Sequence, residues 1–103
     1  MSSMPVRSPA QRQQALVRAQ EARAQRAAVK AALSSGHLTA RQALERCSAD
    51  VAIGGLPVRV FLRALPGVGE RKADRIMSTI GIAESRRLRG LGQRQRSALL
   101  EWL

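Results

Sequence analysis

The sequence predicts an all-α protein in which one long N-terminal helix precedes a compact body of short helices. Three observations carry this. A run from Pro9 to Leu33 has no internal glycine or proline and is rich in Ala, Gln and Arg, which have high or fair helix propensity. Beyond it, Gly and Pro punctuate the chain at short intervals, at Gly36, Gly54-Gly55, Pro57, Pro66-Gly67, Gly81 and Gly90-Leu91-Gly92. Between those breaks, apolar positions such as Val68, Ala73, Ile76, Met77 and Ile80 recur at helical spacing.

Residues 1–8 mix Ser, Met and Pro without period and are expected to form a disordered tail. Ser8 before Pro9 is an N-cap followed by proline at the first helical position, which opens a helix over 9–35 that Ser34-Ser35-Gly36 stops. Ala15, Ala22, Val29 and Leu33 form its narrow apolar stripe, and Arg12, Arg23, Arg26 and Lys30 lie together beside it, within roughly 60° of one another. The N-terminal half has little to bury and is expected to project from a body spanning 36–103, the whole being one domain. Thr39 caps a short helix reaching about Cys47, with Ala43 and Leu44 inward; His37 is a polar turn residue and Cys47 a small packed one. Residues 50–55 read as a loop. Pro57 starts a core helix carrying Val58, Val60, Phe61, Leu62 and Leu65. A helix over Glu70–Ile80 ends at Gly81, Ser85 reads as the N-cap of a short turn through Arg89, and a last helix runs from Gln93 to Leu103. Trp102 reads as a packing anchor there, with base stacking as the other role for its indole.

Eighteen Lys and Arg against seven Asp and Glu give a net charge of +11, which calls for an acidic partner. All but two of the cations are arginine, the residue that binds phosphate through a planar fork. No apolar run reaches the ~20 residues a membrane span requires. With one cysteine, one histidine and no tyrosine, the usual vocabulary of metal sites and nucleophilic catalysis is nearly absent; no metal, no cofactor and no enzymatic activity are expected. Lys72 and Asp74 lack the pocket that a base-excision chemistry would need. The charge is uneven: residues 1–38 and 85–103 are strongly basic, whereas 65–84 hold three bases and three acids.

That neutral stretch contains Leu65-Pro66-Gly67-Val68-Gly69, a proline-led glycine turn delivering the chain into a helix. The first amides of that helix have no partner inside it and, with the positive end of the helix dipole, suit a phosphate. Followed by Ala73 and Ile76 it resembles the helix-hairpin-helix class of nucleic-acid-binding elements. The continuation Gly81-Ile82-Ala83-Glu84-Ser85-Arg86-Arg87-Leu88-Arg89-Gly90-Leu91-Gly92 is more specific, and with Pro9-Ala10-Gln11-Arg12 and Val29-Lys30-Ala31-Ala32-Leu33 it resembles the helix-two-turn-helix proteins of the actinobacterial integration host factor family over residues 8–102.

The resemblance implies a nucleoid-associated protein that binds duplex DNA with little sequence preference, bends or constrains it, and assists phage site-specific recombination beside an integrase–DNA complex. The lone Cys47 fits a reducing cytoplasm, and since nothing forces self-association a monomer is expected. Carried over by position, Gly67, Val68 and Gly69 would offer amides to phosphate, and Arg71, Lys72 and Arg75 would flank them. Arg86, Arg87 and Arg89 would enter or border the minor groove, with Ser85, Gly90 and Arg94, and Arg23, Arg26 and Lys30 on the long helix, as further DNA contacts. A ribosomal small-subunit-like RNA-binding protein is the rival reading, because its glycine turn and following helices look much like residues 66–103; the extended N-terminal helix argues against it.

Overall fold

A computed structural model describes residues 8–103; the expected N-terminal tail therefore lies outside the described residues, except for Ser8. Ser8 closes a capping box: its Oγ accepts from the Gln11 amide and the Gln11 side chain accepts from the Ser8 amide. Helix α1 then spans Pro9–Ser35 and stops at Gly36, whose φ of 82° is left-handed. At 1.5 Å per residue it is about 40 Å long, and the described chain extends 54 Å along its longest axis. Only Leu33 is fully buried on α1, with Val29 and Ala32 packed at the margin of the core, so the N-terminal half projects. Ala22, expected in the apolar stripe, is exposed.

The body consists of α2 (Ala40–Arg46), α3 (Val51–Gly54), α4 (Val58–Ala64), α5 (Glu70–Ile80), a 3-10 turn (Leu88–Gly90) and α6 (Gln93–Trp102). Thr39 caps α2 through a second capping box. The stretch 50–55, expected to be a loop, instead contains α3: Asp50 accepts from the Ile53 amide at 3.0 Å and starts a single turn that buries Ile53 and Gly54. Such a turn is stabilised by tertiary packing rather than by propensity. Phe61 and Leu62 on α4 are fully buried and meet Leu33, Ile76, Leu88 and Leu99 in one core; each such side chain contributes roughly 1.5–3 kcal/mol by leaving water. Val60 lies only at the core's margin.

Two backbone bonds organise the second half of the chain. Val58 donates to the Arg86 carbonyl at 2.9 Å and Leu88 donates to the Leu56 carbonyl at 3.0 Å. They hold residues 86–88 extended against the start of α4, as an isolated antiparallel bridge between Pro57 and Arg87. The short helical turn therefore begins at Leu88, with Arg87 rather than Ser85 at its head. Trp102 is 36% exposed and Leu103 is exposed; the last turn of α6 runs beyond the core, so the indole is not the packing anchor the sequence implies. It instead lines an open cleft between α5 and α6 with Thr79, Ile80 and Arg94.

Candidate functional site

The glycine turn is built by local rules. Val68 donates to the Leu65 carbonyl at 3.2 Å, Pro66 occupies the second corner and Gly67 the third with φ of 78°, which is a type II β-turn. One expectation is corrected here: the Val68 amide closes the turn and its side chain lies in the core, so Val68 has no amide to offer. Gly69 is the N-cap of α5, its backbone is extended (φ −89°, ψ −175°) and no side chain caps this end. The Ala73 amide is the first to find a helical acceptor, at the Gly69 carbonyl. The amides of Glu70, Arg71 and Lys72 thus lie in the open first turn of the helix.

Gly69 is informative because the fold does not demand it. A Cβ there would meet nothing within 4 Å and the backbone angles suit any residue. Glycine at such a position leaves room for an external group to approach the backbone. Gly69→Ala is expected to shift the thermal midpoint by no more than about 3 °C, a change of under ~0.5 kcal/mol, while weakening anion-backbone binding severalfold. Melting and binding measured on the same sample check this.

Along α5, Ala73, Ile76 and Met77 face the core while Arg71, Lys72 and Arg75 are exposed beside the turn. Arg86 and Arg87 are exposed at the opposite end of α4, about 10 Å of helix from the turn. Each is braced by a carbonyl: Arg86 Nη1 donates to the Gly90 carbonyl at 3.1 Å, and Arg87 Nη1 to the Gly55 carbonyl. Bracing one nitrogen pre-orients the fork and leaves its other donors free. Gly90 matters through Arg86, because a Cβ at Gly90 would sit 3.2 Å from Arg86 Cδ.

Arg87 and Arg89 line a groove of about 330 Å³ with Arg26 of α1 and Val51 of α3, so one residue of the long helix's basic strip, Arg26, meets the arginine segment. Lys30 lies apart, in a second groove of about 380 Å³ with Arg59 and Arg63. Arg94 is also apart, in the α5–α6 cleft, and Arg23 and Ser85 are exposed without lining either groove. Arg96 turns inward, with Nη1 4.0 Å from the buried Cys47 Sγ.

Sequence reasoning missed Arg59. Its Nε donates to Glu84 Oε2 at 2.9 Å, Nη2 to the other oxygen of Glu84, and Nη1 to Asp74. These bonds hold the guanidinium pKa above its ordinary value and the Glu84 carboxyl below its ordinary 4.5. A depressed carboxyl pKa contributes stability above its unfolded value, and that contribution disappears as pH falls through the folded value. Thermal midpoints of Glu84→Gln and of the unaltered protein are therefore expected to differ at neutral pH and to converge as pH falls through the lowered folded-state value of Glu84. Among the described residues no helix is long and apolar enough to cross a membrane, and no three His, Cys, Asp or Glu side chains cluster as metal ligands.

Comparison with known proteins follows the same outline. The S13-like H2TH domain family matches residues 33–103. Proteins named integration host factor from Mycolicibacterium smegmatis and Mycobacterium tuberculosis are each 44% identical over 99 residues, covering 96% of this chain and 94% of theirs. One from Streptomyces coelicolor is 39% identical over 97 residues, covering 94% of this chain and 91% of its own. A solved structure described as sIHF bound to an 8bp palindromic DNA has a TM-score of 0.78 at 38% identity, covering 82% of this chain and 96% of that one.

Proposed function

The chain belongs to the S13-like H2TH family and to the same family as the proteins named integration host factor in Mycobacterium and Streptomyces, and from that premise we propose that it is a non-enzymatic architectural protein of the nucleoid that binds duplex DNA through the phosphate backbone. The observation that carries the reading is the pairing of an uncapped α5 N-terminus, kept open by Gly69, with exposed and braced arginines one helix length away. The solved relative that was captured on duplex DNA supports the same partner.

In this reading the open amides of Glu70, Arg71 and Lys72, with that of Gly69 beside them, take one phosphate, flanked by the side chains of Arg71, Lys72 and Arg75. Gly67 shapes that corner, and Arg86, Arg87 and Arg89 contact the phosphates that border the minor groove, with Ser85 and Gly90 forming the backbone around them. Arg26 tracks the same duplex from α1, while Arg23, Lys30 and Arg94 add longer-range attraction. The projecting helix and the 36–103 body work as one domain, and the protein acts as a monomer in the cytoplasm. Among the described residues no motif sets a row of Asn, Gln or Arg into a major groove for reading base edges, so selectivity comes from groove shape and deformability. Bending or restraint of DNA, and help to a phage integrase–DNA complex, are the functional consequences.

Topoisomer distributions of a relaxed plasmid closed by ligase in the presence of the protein test the architectural part. Restrained supercoils or accelerated closure of short circles are expected; unchanged topology and closure at saturating protein would leave a coating protein only. The ribosomal alternative draws on the body's S13-like description. Co-sedimentation with small ribosomal subunits in preference to nucleoid DNA would favour it.

A further inference from the structure

We infer that Arg59 is a positioning residue for the DNA interface: it draws the carboxylates of Asp74 and Glu84 onto itself, and so converts a face of balanced charge into a basic one. The inference rests on the DNA-binding reading above. Residues 65–84, which run from the turn to the arginine segment at the far end of α4, contain Arg71, Lys72 and Arg75 against Glu70, Asp74 and Glu84, a net charge of zero between the two proposed DNA contacts. A polyanion gains little from such a face unless its acids are engaged elsewhere.

Arg59 engages two of the three from outside the segment. Its fork takes both oxygens of Glu84 and its remaining nitrogen takes Asp74. The Arg59 side chain is 24% exposed and those of Asp74 and Glu84 are 56% and 72% exposed, so the clamp lies at the surface, and without Arg59 neither carboxylate keeps a cationic partner. Glu70 is the one acid left, and it occupies the first turn of α5.

The clamp also has a geometric side. Arg59 follows Val58, whose amide binds the Arg86 carbonyl, and Glu84 stands two residues before Arg86. Backbone and side chain therefore fasten the same arginine segment to the same end of α4. Lysine cannot replace this arrangement, because an ammonium group lacks the fork that spans one carboxylate and reaches a second.

A thermodynamic cycle on the full chain tests the inference, with affinity for a 20-base-pair duplex read by fluorescence anisotropy and folding by thermal melting. Arg59→Gln is expected to weaken binding about fivefold to tenfold. Asp74→Asn with Glu84→Gln should change it less than about twofold, and the three changes together should return it to within about twofold of the unaltered protein. Arg63→Gln removes an equal charge from the same helix and should cost less than Arg59→Gln. If Arg59→Gln does not fold, Arg59→Lys serves in its place, with a loss of about threefold expected despite an unchanged net charge. The inference is overturned if loss of Arg59 leaves affinity unaltered, or if neutralising the acids strengthens binding equally with and without Arg59. That second outcome would make Arg59 one charge among eighteen while leaving duplex binding intact. Failure of the unaltered protein to bind duplex at low salt would remove the DNA-binding reading itself, and this inference with it.

Discussion

Changing Arg86, Arg87 and Arg89 together to Gln is expected to lower affinity for every duplex by about a hundredfold at 0.1 M salt, and to reduce the steepness of its salt dependence by about three phosphate contacts. The three side chains are exposed, two of them are pre-oriented by the Gly90 and Gly55 carbonyls, and two share a groove with Arg26. Because none contributes to the apolar core, the melting temperature should fall by only a few degrees. The loss should be the same on unrelated sequences, since phosphate contacts set position and affinity rather than base preference. Gel shifts on two duplexes of different composition check this. Retention of full affinity by a folded triple variant would remove these arginines from the interface.

Gly54→Ala is expected to be the most damaging of the glycine-to-alanine changes in the described chain. A Cβ there would lie 2.2 Å from the Cys47 carbonyl oxygen and 3.2 Å from Arg89 Cβ. Neither neighbour gives way cheaply: the first is backbone at the end of α2, and the second is the root of an arginine in the groove. Overpacking of this kind costs about 3 kcal/mol, equivalent to a fall of roughly 15 °C in melting temperature for a domain of this size. The same substitution at Gly92, where a Cβ would meet nothing within 4 Å, should be nearly silent. Differential scanning calorimetry on both variants separates the two cases.

Local signals carried much of the architecture into the sequence. The Ser8-Pro9 start and the Gly36 stop of α1, the Thr39 cap of α2 and the Gly81 end of α5 all depend on residues a few positions apart. What remained hidden depends on distant partners. One turn of helix at Val51–Gly54 has too few residues to declare itself and is held by contact with the end of α2 and with Arg89. Ser85 looked like a cap only because the pairing of Arg86 and Leu88 with Val58 and Leu56, some thirty residues away, has no sequence signature. The Arg59 clamp spans separations of 15 and 25 residues and is equally silent in one sequence. Within the candidate site the glycine corner was legible, and Pro66-Gly67 at its two central positions already marks a type II turn, whose closing bond takes the Val68 amide.

The central claim is that open backbone amides and flanking arginines bind duplex DNA through its phosphates, and the salt dependence of affinity measures this most directly. With about five phosphates neutralised, the logarithm of the association constant should fall against the logarithm of salt with a slope near −4 to −5, alike for sequences of different composition. A slope near −1, or a slope and affinity that belong to one sequence alone, would contradict it.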